Sequence, residues 1–247
     1  MRNMKKTMII KVADLVIRVN TKYQTVVEKC ADYIVSDDTP EDFTIEITDE
    51  EIEQVKQWKW ENEKEIISDA DAEYDYLYQK YGKVLPFFNA FLLHAVVLEM
   101  DGKAYAFSAN SGVGKTTHAR LWMNVFENRV RIIDGDNPIV RIIDGKAYVY
   151  GTPCCGKEGW NINTRVELGG IGFIVRDKIN VVNSIPGYIA FLKTATLNAA
   201  NITPQNQEKV FDLYQQLVNV VPFYEVHCNM DIEAAIVAKE AMCGGRK

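Results

Sequence analysis

Ala109-Asn-Ser-Gly-Val-Gly-Lys-Thr116, followed by Thr117-His-Ala-Arg-Leu-Trp122, is the stretch around which the rest of the chain is read. Apart from Ala109 in the first position, it fits the pattern glycine, four residues, Gly-Lys-Ser/Thr that wraps backbone amides around a phosphate. Gly112 and Gly114 permit the tight arc, Lys115 has the reach for β- and γ-phosphates, and the Thr116 hydroxyl is placed for Mg²⁺. Asn110, Ser111, Gly112, Val113, Gly114, Lys115, Thr116 and Thr117 therefore form the candidate nucleotide-binding set. Tyr105-Ala-Phe107 before the loop is strand-like, and Thr116 to Phe126 after it reads as a helix. A phosphate at that helix start gains from unpaired amides and the helix dipole. The plainer reading is a glycine-rich turn that happens to precede a helix; the Gly-Lys-Thr run at a strand-to-helix junction favours the phosphate.

Outward from the loop, Ala95–Met100 and Lys103–Phe107 flank Asp101-Gly102, a strong hairpin signal. Asp-Gly-Lys-Ala-Tyr recurs at 144–148, between Ile139–Ile143 and Ala147–Tyr150, as the same device used twice. Arg-Ile-Ile-Asp-Gly also occurs twice, at 131–135 and 141–145; the second copy is the hairpin turn, so the first needs another explanation. Further on, Leu168–Val175 reads as a buried strand, Ile185–Ala200 as a helix started by Pro186, and Gln205–Val218 as an amphipathic helix. Val221–Cys228 reads as a strand, and Asp231–Met242 as a closing helix capped by Asp231. Alternating strands and helices predict an α/β layer architecture, and the hairpins make its sheet mixed.

On the other side, residues 8–19 read as one or two strands and Glu41–Ile47 as another. Thr48 and Glu51 make a capping box for a helix through about Trp58, with Trp58 and Trp60 assigned to core or interface packing. Tyr74, Leu77, Tyr78 and Tyr81 give Asp69–Tyr81 a helical stripe stopped by Gly82, and Pro86–Leu93 is read as a further helical stretch. The boundary falls between an acidic α+β part, residues 1–83, and the nucleotide-binding domain, residues 84–247.

The bulk numbers bound the function. The chain has 247 residues, enough for one large core or a domain with a smaller addition, and a net charge of −6, which does not suit wholesale binding of nucleic acid or an acidic membrane. Residues 36–75 carry 16 of the 34 acidic residues and three of the 28 basic ones (Lys56, Lys59, Lys64), leaving 25 basic against 18 acidic elsewhere, a balance of +7 that suits an anionic ligand. Five cysteines without zinc or C-x-x-C spacing suggest a reducing compartment. With neither a signal-peptide pattern nor a window of transmembrane length, the expectation is a soluble, cytoplasmic protein.

A phosphate loop names a nucleotide and not its fate. Val130-Arg-Ile-Ile133 reads as a strand ending in Asp134-Gly-Asp136, where carboxylates are placed to hold Mg²⁺ or take a proton from an acceptor hydroxyl. Asp, Gly, Asn137 and Pro138 are also turn formers, so a plain Asx turn is equally open. Leu93-His94-Ala, Asp101-Gly-Lys103, the loop, Asp134-Gly-Asp136, and Tyr150-Gly-Thr-Pro153 through Gly156-Lys157 together resemble the HPr serine kinase/phosphorylase group. That group belongs to the P-loop kinases related to ATP-dependent phosphoenolpyruvate carboxykinase. More narrowly the chain is similar to a bacterial HPr-kinase-like subgroup, over roughly residues 75–240.

The resemblance implies a P-loop kinase core and ATP- and Mg²⁺-dependent phosphorylation of a hydroxyl, usually a serine, on a protein, peptide or small molecule. It also implies assembly into an oligomer. Lys115 and Thr116 match the family's nucleotide and metal residues, and His94 matches its active-site histidine, 21 residues before the lysine. The family's adjacent acid pair is replaced: Gly135 stands at the first position and Asp136 at the second, so Asp136 is the first candidate for base and metal residue and Asp134 the second. Glu167-Leu-Gly-Gly170 stands where the family has Glu-Ile-Arg-Gly, which argues against phosphorylase activity and leaves Arg165 and Arg176 as candidate phosphate-neutralising cations. Lys157 is read either as a phosphate contact or as a solvated turn lysine, and His118 and His227 as structural. Two other functions stay open: a nucleotide-binding partner module without transfer, which the departures motivate, and a simple NTPase releasing free phosphate.

Overall fold

The computed structural model describes residues 6–244. The chain separates into two units, one ending at Val84 and the other beginning at Leu85. In the first, β1 (Lys6–Val12) and β2 (Leu15–Thr21) form an antiparallel hairpin. After α1 (Gln24–Lys29), β3 (Phe43–Glu46) adds parallel to β2. Then come α2 (Asp49–Glu63) and α3 (Asp69–Val84). The capping box forms as the sequence predicts: Glu51 N–H donates to Thr48 Oγ1 at 3.2 Å and Thr48 N–H to Glu51 Oε2 at 2.9 Å. Two expectations fail here. α2 runs five residues past Trp58, and Trp58 and Trp60 are both exposed and so not in the core, because Ile52 and Val55 supply the buried face of α2. Gly82 does not end α3; it is buried inside a helix that continues to Val84. Pro86, which disfavours helical backbone in the residue before it, is the nearer stop signal.

The second unit opens with a single 3₁₀ turn at Leu85–Phe88 and β4 (Ala90–Leu92), not the helix expected over Pro86–Leu93. The segment is extended because Ala90, Phe91 and Leu92 pair with the sheet across Arg141, Val140 and Ile139. β5 (Ala95–Met100) and β6 (Lys103–Ser108) form the first Asp-Gly hairpin. Then follow α4 (Lys115–Phe126), β7 (Val130–Asp134), β8 (Ile139–Ile143) and β9 (Lys146–Tyr150), the last two joined by the second Asp-Gly turn. The remaining elements are β10 (Arg165–Arg176), β11 (Val181–Ser184), α5 (Gly187–Leu197), α6 (Gln207–Val220), β12 (Phe223–Cys228) and α7 (Glu233–Cys243). Asp231 does not cap α7 with its side chain; the helix starts after Ile232, and the Asp231 carboxylate accepts from Asn229 Nδ2 at 2.9 Å.

The strands form one mixed sheet in the order β4-β8-β9-β10-β6-β5-β7, with β12 beside β10 and β11 beside β12. β6, β10 and β12 run parallel. Alternation sorts the core onto two faces. Val96, Leu98, Met100, Tyr105 and Phe107 pack with Trp122 of α4 and Ala234, Ala235 and Ala238 of α7. Ala95, Val97, Ala104 and Ala106 share the other face with Leu213, Tyr214 and Leu217 of α6. This is the α/β architecture with a mixed sheet that the alternating pattern predicts. No helix among the described residues is long and apolar enough to cross a membrane.

Strand direction decides where chemistry collects. β5 is antiparallel to both β6 and β7. The end of β6, the start of β5 and the end of β7 therefore lie at one edge of the sheet, joined there by the end of β10.

Candidate active site

At that edge the loop from Ala109 to Gly114 leaves β6 and opens α4. Gly112 and Gly114 sit at φ 76° and 129°, in the region that a side chain disfavours. Arg176, at the end of β10, holds the loop from outside. Its Nε donates to the Val113 carbonyl at 2.8 Å, and a terminal nitrogen donates to the Gly112 carbonyl. In a trans peptide the N–H points away from its C=O, so pinning these two carbonyls fixes the directions of the Val113 and Gly114 amides. The backbone N–H of Val113 donates within the loop, to Asn110 O at 3.2 Å.

Lys115, the first residue of α4, is buried. Its ammonium donates to the Ala109 carbonyl at 3.1 Å and to His94 Nε2 at 2.8 Å. Burial holds the lysine below its ordinary value, while Asp136 pulls it back up. Burial, then the Lys115 charge, also holds His94 below the ordinary histidine value, against the opposite pull of Asp136. A neutral imidazole with its Nε2 lone pair turned to the ammonium fits both facts. The histidine's backbone is tied at two points: its N–H donates to Asn198 Oδ1 at 2.7 Å, and its carbonyl accepts from Ser108 Oγ at 2.8 Å.

Asp136 Oδ1 lies 3.6 Å from His94 Nε2, and its Oδ2 accepts from Asn137 Nδ2 at 2.8 Å. The turn that carries it is bonded to the start of β5, with Ala95 N–H donating to Asp136 O and Leu93 N–H to Pro138 O, both at 3.0 Å. Lys115, His94 and Asp136 are thus brought together from three separate strand ends.

Asp134 is not part of that group, which corrects its expected role. Its side chain is fully buried and points into the turn that it organises. Oδ1 accepts from the N–H groups of Asp136 (2.9 Å) and Asn137 (3.0 Å), and Oδ2 from the Thr152 N–H (2.8 Å). Burial pushes this carboxyl up to about 8, against those donors. The Thr152 hydroxyl lies 3.0 Å from Oδ2 and 3.1 Å from the Asn137 carbonyl. The hydroxyl has one proton and donates to one of these two acceptors at a time, while its oxygen accepts from the Cys154 N–H at 3.1 Å. The first Arg-Ile-Ile-Asp-Gly copy is thereby explained: it ends a strand on a buried carboxyl and does not make a hairpin.

Sterics exclude a side chain at Gly135. A Cβ there would lie 2.7 Å from the Cys155 carbonyl, and the Gly135 N–H donates to Trp160 O at 2.8 Å. The segment after Thr152 is packed so tightly on the turn that no side chain fits. The same segment reaches α4, where Arg120 pairs with Glu158 and lies 5.6 Å from the Trp160 ring. Lys157 is exposed on it.

Glu167-Leu-Gly-Gly170 lies at the opposite end of the sheet. Leu168 and Gly170 pair with Ala104 and Tyr105, at the start of β6, about 13 Å along the strand from the loop. Glu167 there pairs with Lys103 and Lys146, and the Arg165 guanidinium lies 5.0 Å from the Tyr148 ring centroid. Of the two candidate arginines only Arg176 is at the loop, and it grips backbone carbonyls. Thr116 is half-buried in the first turn of α4.

Among the described residues there is no group of three or more His, Cys, Asp or Glu suited to a metal. The Thr116 hydroxyl and the Asp136 carboxylate are hard oxygen donors, the ligand type that suits Mg²⁺.

No protein-family model matches the chain, and no curated protein matches its sequence. Among solved structures it is similar to the Hpr(Ser) kinase/phosphatase from Coxiella burnetii, at 8% sequence identity and a TM-score of 0.37. The alignment covers 62% of this chain and 99% of that one. A likeness of that size leaves any reading of activity to the residues themselves.

Asn198, Thr152 and the grip of Arg176 on the loop are absent from the candidate set read off the sequence. Thr152 stands in the quoted Tyr150-Gly-Thr-Pro153 run and carried a signal, but Asn198, 104 residues from His94, carries none.

Proposed function

We propose that the chain is an ATP-dependent phosphotransferase acting on a hydroxyl acceptor of the serine or threonine type. The observation that carries this reading is the convergence of Lys115, His94 and Asp136 at the mouth of a Gly-Lys-Thr loop. The acceptor O–H gives its proton to Asp136, an acceptor O–P bond forms at the γ-phosphorus, and the bond from that phosphorus to the ADP oxygen breaks. Asp136 suits the base because it is half-exposed and its Oδ1 faces a neutral His94, which leaves that oxygen open to a hydroxyl. Lys115 exchanges its contacts with Ala109 and His94 for phosphate oxygens, and the Gly114 amide aimed by Arg176 helps to orient the phosphates. Mg²⁺, which Thr116 and Asp136 would hold, would supply neutralisation of phosphate charge.

Single substitutions separate the roles. Lys115→Ala is expected to abolish nucleotide binding, while Asp136→Asn keeps binding and loses at least about 100-fold in transfer. Transfer by Asp136→Asn at the wild-type rate would sink the base assignment. The alternatives stay distinguishable: phosphate release without any acceptor marks an NTPase, and ATP bound but unchanged marks a binding module.

A further inference from the structure

Behind the loop, on the side away from Asp136, lies a cavity of about 460 Å³, within the usual range of roughly 300–1,000 Å³ for small-molecule sites. Val113, Gly114 and Thr117 form its wall on the loop side. Ile174, Cys228 and Met230 supply apolar surface, Asp177 and Asn229 add polar groups, and His118 contributes its imidazole.

His118 is the informative residue. It is 2% exposed, and its Nε2 accepts a hydrogen bond from Trp122 Nε1 at 3.1 Å. Indole nitrogen only donates, so Nε2 carries the lone pair and the proton of the neutral ring sits on Nδ1. Burial pushes the imidazole down to about 4, which keeps it neutral at physiological pH. Nδ1–H is therefore a buried donor of fixed direction, and it has no acceptor among the described residues. Buried donors without partners are uncommon and costly. This one borders a cavity that shares three residues with the phosphate loop or the helix turn after it.

We infer that this cavity takes the purine base of the nucleotide, and that His118 Nδ1–H donates to a ring nitrogen of that base. The inference rests on the nucleotide reading of the loop and extends it to the nucleoside. The base lies against Ile174 and Cys228, whose thiol burial keeps protonated. Met230, 78% exposed at the mouth, is an unbranched thioether suited to adjusting around a flat ring. Asp177 and Asn229 lie where hydroxyl and amino groups of a nucleoside find acceptors.

The test compares equilibrium binding of ATP, 1-deaza-ATP, 3-deaza-ATP, 7-deaza-ATP, CTP and inorganic triphosphate to the full-length protein, wild type and His118→Leu. One deaza analogue is expected to bind the wild type about tenfold more weakly than ATP, the value of one net hydrogen bond. That difference disappears in His118→Leu, while triphosphate binds both proteins alike. The wild-type series needs no variant, so it decides the matter even if His118→Leu fails to fold. Three deaza analogues equal to ATP, a loss that persists in His118→Leu, or CTP binding as tightly as ATP would each overturn the assignment while leaving the loop reading intact. A wild-type protein that binds neither triphosphate nor ATP would overturn the loop reading and this inference together.

Discussion

Asp134 and Asp136 stand two residues apart and occupy opposite environments, and that difference assigns their tasks. Asp136 faces the edge where Lys115 and His94 meet; Asp134 is buried and holds the turn through Thr152, Asn137 and the Asp136 amide. Because burial raises the folded-state value of Asp134 from 3.8 to about 8, the folded protein binds a proton that the unfolded chain releases over that range. The contribution of this carboxyl to stability is full below about pH 4 and is lost as pH rises through 8. Asp134→Asn removes that dependence and costs the Thr152 N–H its acceptor, so the variant is less stable overall. Urea midpoints measured from pH 5 to 8.5 should show the wild-type advantage shrinking as pH rises. An advantage that stays constant with pH would mean Asp134 does not titrate there. Neither task is separable from sequence alone, since Asp-Gly-Asp-Asn-Pro suits a turn and a carboxylate pair equally. Burial makes the distinction, and burial here depends on a segment that begins 18 residues later, at Thr152.

At the scale of elements, the signals that survive are the ones whose physics is local. The Asp-Gly hairpins form where the sequence places them, with positive φ at Asp101, Gly102, Asp144 and Gly145, and the Thr48 capping box closes with both of its bonds. Where tertiary pairing decides, the local pattern misleads: Ala90–Leu92 is extended because β8 lies beside it, although Pro86 makes an acceptable first helical turn. Arg176 belongs to this scale, since it links the end of one strand to the loop that leaves another. If its guanidinium fork sets the loop amides, Arg176→Lys and Arg176→Ala should both weaken ATP several-fold, because one ammonium cannot grip two carbonyls in the same geometry. Isothermal titration checks this. Wild-type affinity in the lysine variant would show that charge alone suffices, and the positioning account would be wrong.

For the whole molecule, the α/β class and the mixed sheet were legible in the alternation of strands, hairpins and helices. The site was legible only as fragments: a loop, a histidine and an Asp-Gly-Asp turn. What joins them is strand direction, because β5 runs antiparallel between β6 and β7 and so turns His94 back toward the loop and Asp136. No periodicity encodes that order, and the Asn198 contact that fixes His94 crosses more than a hundred residues. The same geometry places Glu167–Gly170 at the far end of β6, away from the loop. The central claim, phosphoryl transfer to a hydroxyl, is tested most directly with γ-labelled ATP and Mg²⁺. The acceptors are free serine, free threonine, an HPr-type protein and extract of the source cells, each run beside Asp136→Asn. The account predicts label on an acceptor hydroxyl with the wild type alone; label only in free phosphate, or ATP bound and intact with every acceptor, would contradict it.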